Sequence, residues 1–242
     1  MGTRLRFFFW LHPEWWTVGL ASGAWGVMLQ HAWQNSGHNG YHGSTLFPEI
    51  GYWMLMVAAM MLPLVTGRVR FTATVSLWAR RHRAIAGFVV GYFGPWLALG
   101  IVFAPLRQMN WTHTYAAPAL AFAAAALWQK TVVYKRALTA CHRTWPIAPL
   151  GWRADRDCVR FGSFIGFACL RTCWPLMLAC GFAGHSLVAM SGGMVIGFVE
   201  QSRYKRRRRY PTLAGRLAMA GLYTALAIRG VALPVTVTHL FN

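Results

Sequence analysis

The residues best suited to chemistry in this chain are sulfur donors. Cys169 and Cys173 are four apart, which on a helix puts both thiols on one face, and Met177 and Cys180 approximately continue that face. Two thiols and a thioether suit a soft ion, above all Cu(I). The competing reading is packing, since Cys and Met also serve as small or flexible apolar residues in a bundle. A second sulfur group is Trp53-Met54-Leu55-Met56-Val57-Ala58-Ala59-Met60-Met61-Leu62-Pro63. Met56 and Met60 are four apart, and Met54 and Met61 are a heptad apart, so the thioethers could relay Cu(I). Irregular packing around a helix end capped by Pro63 is the alternative.

Nitrogen donors form two further groups. Cys141-His142, with Cys158 later in the same loop, offers an N/S set on the reducing side of a membrane, though no C-x-x-C pair is present. His31, His38 and His42, with Glu49 nearby, lie in a stretch carrying Gly37, Gly40 and Gly43, and neutral imidazoles there suit Cu(II) or Zn(II). Solvated interfacial or loop residues would read the same way. Arg171, between the two cysteines in sequence but on another face, Arg229 and Glu200 are charges at apparent membrane depth, where a partner or a wet cavity is expected. No Walker lysine loop, G-x-S-x-G or H-E-x-x-H occurs. With 5 Asp+Glu in all, paired-carboxylate chemistry is a poor fit. The chain reads as a binding protein rather than an enzyme. Oxidation at the metal ranks last, because no substrate pocket is identifiable.

The elements that must position these residues are apolar blocks. Hydrophobic residues make up 56% of the 242 and charged ones 12%, about half the ~25% of ordinary soluble domains. Several blocks reach the roughly 20 residues that cross ~30 Å of hydrocarbon. The expected fold is therefore all-α, a polytopic membrane helix bundle in one domain. Its spans are expected at about 15–34, 51–66, 84–104, 116–134, 161–182, 184–199 and 213–234. Trp10, Trp15 and Trp16 read as an interfacial belt before a retained first helix, not as a cleavable signal.

The charge pattern supports that division. The chain carries 24 Lys+Arg, and all but Arg107, Arg171 and Arg229 fall at the N-terminus or in alternate connecting segments. The opposite side is histidine-rich, with His31, His38, His42, His113, His185 and His239. Basic loops stay in the cytoplasm, so the N-terminus is expected inside and the C-terminus outside, in a bacterial inner membrane. This accounts for the net charge of +19 without nucleic acid. Lipid is the expected partner. The 13 Trp and the missing catalytic constellation also fit a non-catalytic accessory subunit of a larger membrane complex.

Three stretches together resemble a family of bacterial predicted metal-binding integral membrane proteins of unknown function. Ala59-Met60-Met61-Leu62-Pro63 is similar to the family's Ala-Met-Met-Leu-Pro span. Trp128-Gln129, Lys135-Arg136-Ala137 and Cys141-His142-Arg143 are similar to its Tyr-Gln, Lys-Arg-Ala-Cys and His-Cys-Arg. Cys169-Leu170-Arg171-Thr172-Cys173-Trp174-Pro175-Leu176-Met177, followed by Glu200, is similar to its Cys-x-Gly-Cys-Cys-Trp-Ala-Leu-Met and later Glu-Lys. The resemblance covers roughly residues 50–210 and implies metal binding, with copper the favoured ion. Leu138 and Thr172 stand where the family has cysteines, Arg171 stands where it has glycine, and Cys141-His142 reverses its order. Two potential thiol ligands are therefore missing.

Overall fold

The computed structural model describes residues 12–34, 46–107, 116–148, 150–205 and 213–228. Every regular element among them is helical: α1 (Trp15–Gln34), α2 (Leu46–Val75), a 3-10 turn (Trp78–Arg80), α3 (Arg81–Arg107), α4 (Ala116–Trp128), α5 (Val132–Ala140), α6 (Gly151–Phe182), α7 (Leu187–Lys205) and α8 (Leu213–Ile228). His38, His42, His113, His239 and Arg229 lie outside the described residues.

Each expected span overlaps a helix, but length and hydropathy single out fewer than seven. Three stretches are long and apolar enough to cross a membrane: Leu46–Val75, Trp78–Leu106 and Gly151–Phe182. A fourth arises if α4 and α5 count as one broken span, bent by 78°. The expected span at 116–134 stops at Trp128. Thr131 then restarts the chain as α5, its hydroxyl accepting the Tyr134 N–H at 3.2 Å. The stretch 135–160, expected to be a loop, carries α5 and the first turns of α6. Its charges hide the helix from hydropathy. Asp155, for instance, pairs with Arg80 at 2.7 Å and Arg83 at 2.8 Å across the connection. The expected span at 184–199 falls mostly on a helix separate from α6, α7, which begins at Leu187. Gly184 and His185 break the chain there with φ of 67° and 56°.

Helices α2, α3 and α6 form the centre. The α3–α6 contact is made by small residues: a Cβ at Gly91 would overlap the carbonyl of Val159, and one at Gly162 would overlap that of Phe88. At Gly166 it would come within 2.6 Å of the Tyr92 carbonyl. Gly162 and Gly166 are the small-xxx-small spacing that lets membrane helices approach closely.

Proline inside a helix leaves the carbonyl four residues back without its amide donor. Two such carbonyls are recovered by tryptophan. Pro63, inside α2 rather than at its end, frees Ala59 O, which accepts the Trp25 indole N–H from α1 at 3.0 Å. Pro175 in α6 frees Arg171 O, which accepts the Trp128 indole at 2.8 Å. Both tryptophans thus serve backbone satisfaction within the bundle, which is obligatory where water is absent.

Candidate metal site

The fold gathers sulfur at one end of the bundle, in a cavity between α2, α5, α6 and α7. Its lining includes Cys141, His142, Cys169, Thr172, Cys173 and Glu200, with Leu64 and Arg68 of α2 opposite. Cys169 and Cys173 are buried one helical turn apart on α6. Cys169 is the hub. Its thiol donates to Met61 Sδ at 3.9 Å and accepts the Tyr92 hydroxyl at 3.2 Å. The thiols of Cys141 and Cys173 line the same cavity. Three thiols, from α6 and the end of α5, thus line one cavity, and the Met61 thioether of α2 meets one of them, Cys169.

Neighbouring polar groups are committed to holding this geometry. The Thr172 hydroxyl donates to Cys169 O at 2.8 Å and lies 3.4 Å from Cys173 Sγ. It occupies the cavity wall where a further thiol would otherwise point. His142 Nδ1 is 2.9 Å from Leu138 O and closes the end of α5. Glu200 accepts from Gln129 and pairs with Arg216 at 2.7 Å. Arg216 is fully buried and also donates to Ala125 O at 2.6 Å. The carboxylate thus faces a fixed positive partner, which ties α7, α8 and α4 together and suits an anchor better than a ligand.

Other sequence candidates fall elsewhere. Met60 does not join Met61: its methyl group and the Cys180 thiol both press on Gly193 of α7. Met177 is buried but lies outside the cavity lining. Arg171 is exposed and lines a wider cleft with Arg136 and Arg143, away from the thiols. His31 is buried and bonded to the Tyr52 hydroxyl at 3.1 Å. Pro63 acts through the carbonyl it frees, as above.

Tyr92 and Arg216 are the residues that sequence reasoning missed. Tyr92 carries no local signal, because only the α3–α6 packing brings it to Cys169. Arg216 reads as an ordinary loop-side charge until the bundle closes over it.

Among the described residues, no group of three or more His, Cys, Asp or Glu side chains is arranged to hold a metal ion. The cavity instead offers a thiol–thioether contact, Cys169 with Met61, and two further thiols in its lining, and soft sulfur donors of that kind select Cu(I) over harder ions. Residues 50–224 match a family model described as "PpoB2: Copper chaperone". No curated protein and no solved structure matches the chain.

Proposed function

Given that the chain belongs to the PpoB2 copper chaperone family across residues 50–224, we propose that it is an integral membrane protein that carries Cu(I) in the cavity of Cys169 and Cys173. Copper is cargo here. The single observation that supports this most strongly is that Cys141, Cys169 and Cys173 line one cavity and the Met61 thioether meets the Cys169 thiol.

The chemistry follows from the donors. Cu(I) binds thiolate, so loading releases protons from the thiols it engages. The Tyr92 O–H directed at Cys169 Sγ stabilises the sulfur once it is anionic. Met61 adds a neutral thioether that loses no proton and binds weakly enough to exchange. Cys141 and His142 are half-buried at the cavity's edge, where an ion can pass between buried thiols and an incoming acceptor. Low coordination matters for a carrier, because an open position lets an acceptor's ligand add before the donor's leaves.

The membrane reading is supported by three long apolar helices and by exposed apolar side chains such as Val90, Leu120, Val195 and Phe198. Such a surface suits lipid tails. We read the seven apolar stretches 15–34, 51–66, 84–104, 116–134, 161–182, 184–199 and 213–234 as spans, with short ones accommodated by local thinning of the bilayer. The alternation of basic loops puts the thiol cavity on the cytoplasmic side and His185 toward the other. The test is metal analysis of the purified full chain after anaerobic Cu(I) loading, beside the Cys169→Ser/Cys173→Ser variant. The variant is expected to lose the copper of this cavity. Equal copper in both would remove the site.

A further inference from the structure

A second donor cluster sits at the other end of α2. Met56 lies about 12 Å along the helix axis from Leu64, which lines the thiol cavity. Glu49, Tyr52 and Met56 of α2 meet His185 of the α6–α7 turn, and all four side chains are buried. His185 Nδ1 is 3.3 Å from Met56 Sδ. Its other nitrogen, Nε2, is 3.7 Å from Glu49 Oε1. The Tyr52 ring stacks on the imidazole at 6.3 Å between centroids, and its hydroxyl bonds His31. His185 is the non-glycine residue with positive φ among those described, 56°, so the turn holds it in a conformation that few side chains adopt.

Glu49 stands beside the second ring nitrogen, on the side where a metal-ligating histidine has its orienting carboxylate, at an ion-pair distance of 3.7 Å rather than a hydrogen-bonded one. A ligand imidazole ordinarily donates its second ring N–H to a carboxylate, which fixes the tautomer and directs the other nitrogen's lone pair at the metal. A thioether only accepts, so in the metal-free contact Nδ1–H donates to Met56 Sδ; with the proton moved to Nε2, on the Glu49 side, the Nδ1 lone pair becomes available beside the Met56 sulfur. Nitrogen and sulfur ligands at about 2.0 and 2.3 Å from one ion, near the tetrahedral angle, lie about 3.5 Å apart. The observed 3.3 Å is close to that spacing. An imidazole and a thioether, without thiolate, make a less soft, weaker and less charged site than the cavity does, one that suits Cu(I) taken up without proton release from a thiol.

Resting on the copper reading above, we infer that His185 and Met56 form a second Cu(I) site at the end of the bundle opposite the thiol cavity, oriented by Glu49. Sulfur lies between the two sites. Met60, one turn along α2 from Met56, and Cys180 both lie against Gly193, and Met61 touches Cys169. Donor strength rises from imidazole–thioether to thiolate. That order draws the ion from the His185 end toward the thiols.

The experiment is anaerobic Cu(I) titration of the full chain in detergent against a chromophoric Cu(I) chelator. The variants are His185→Asn, Met56→Leu, Glu49→Gln and Cys169→Ser/Cys173→Ser. Asn tolerates the left-handed backbone, and Leu keeps the volume of Met. His185→Asn and Met56→Leu should each abolish this site's copper and leave the thiol copper in place. Glu49→Gln should keep the stoichiometry but weaken this site by about 10–100-fold. The thiol variant should still bind copper, with nitrogen in its X-ray absorption shell. Wild-type stoichiometry in both His185→Asn and Met56→Leu would overturn the inference, as would a thiol variant that binds none. If His185→Asn loses both coppers, Met56→Leu decides: loss of one copper upholds the site, and any other result overturns it. Full copper in the thiol variant, by contrast, would refute the cavity reading and leave this site standing.

Discussion

The pairing of Trp25 with the carbonyl freed by Pro63 makes a quantitative prediction. Trp25→Phe keeps an aromatic ring between α1 and α2 but deletes the N–H that reaches Ala59 O at 3.0 Å. Position 63 supplies no amide hydrogen, so that carbonyl is left without either donor in a buried stretch of α2. A buried polar group left unsatisfied costs about 1–3 kcal/mol. For a chain of this size, about 1 kcal/mol moves the melting temperature by roughly 2–4 °C, so Trp25→Phe should lower it by roughly 2–12 °C. Ring volume and contacts change too, and a double-mutant cycle separates them. In a Pro63→Ala background the new backbone N–H satisfies Ala59 O within the helix, and the indole becomes redundant. Trp25→Phe should then cost at least about 1 kcal/mol less than in the parent. The assay is thermal unfolding in detergent, followed by size-exclusion survival or intrinsic fluorescence, for the parent, both single variants and the double. Equal shifts from Trp25→Phe in both backgrounds would refute the reasoning.

Other expectations concern the walls of the thiol cavity. Gly162→Ala should force α3 and α6 apart, costing about 1–3 kcal/mol as an overpacked contact. It should also weaken copper binding at the cavity, because Tyr92 and Cys169 sit on the two separated helices; unfolding and Cu(I) competition read the two effects. Glu200→Gln leaves the guanidinium of Arg216 buried without its counter-charge. It should destabilise by about 3–5 kcal/mol, more than Glu200→Gln combined with Arg216→Met, as thermal unfolding of the three variants would show. Tyr92→Phe removes one hydroxyl donor from Cys169 Sγ, and a bond to a charged acceptor contributes about 1.5–3 kcal/mol. Copper affinity should therefore fall by roughly 10–150-fold with stoichiometry unchanged, as measured by chelator competition.

How much of this is legible in the sequence depends on how local each relationship is. The shared face of Cys169 and Cys173 follows from helical spacing, and both thiols do line one cavity. The arrival of Cys141 beside them is a long-range consequence of α5 folding back by 78° after Trp128, which no spacing announces. Met60 and Met61 look equivalent as neighbours in sequence, yet about 100° of helical rotation sends one to Gly193 and the other to Cys169. Hydropathy finds the helices but misplaces their ends. The first turns of α6 carry Asp155, which pairs with Arg80, and Arg156, which stacks on Trp152, and these charges read as loop. It also treats tryptophan as a surface residue, although Trp25 and Trp128 complete the backbone bonding of two proline-bent helices. The Gly162-x-x-x-Gly166 spacing, by contrast, is in plain view in the sequence and marks the closest helix contact.

X-ray absorption at the copper edge tests the carrier reading most directly. The full chain is loaded with Cu(I) in the His185→Asn background, so that the copper measured is that of the thiol cavity. A first shell made of sulfur, lost on Cys169→Ser/Cys173→Ser, is the predicted result. A nitrogen- or oxygen-dominated shell that survives loss of both cysteines would contradict it.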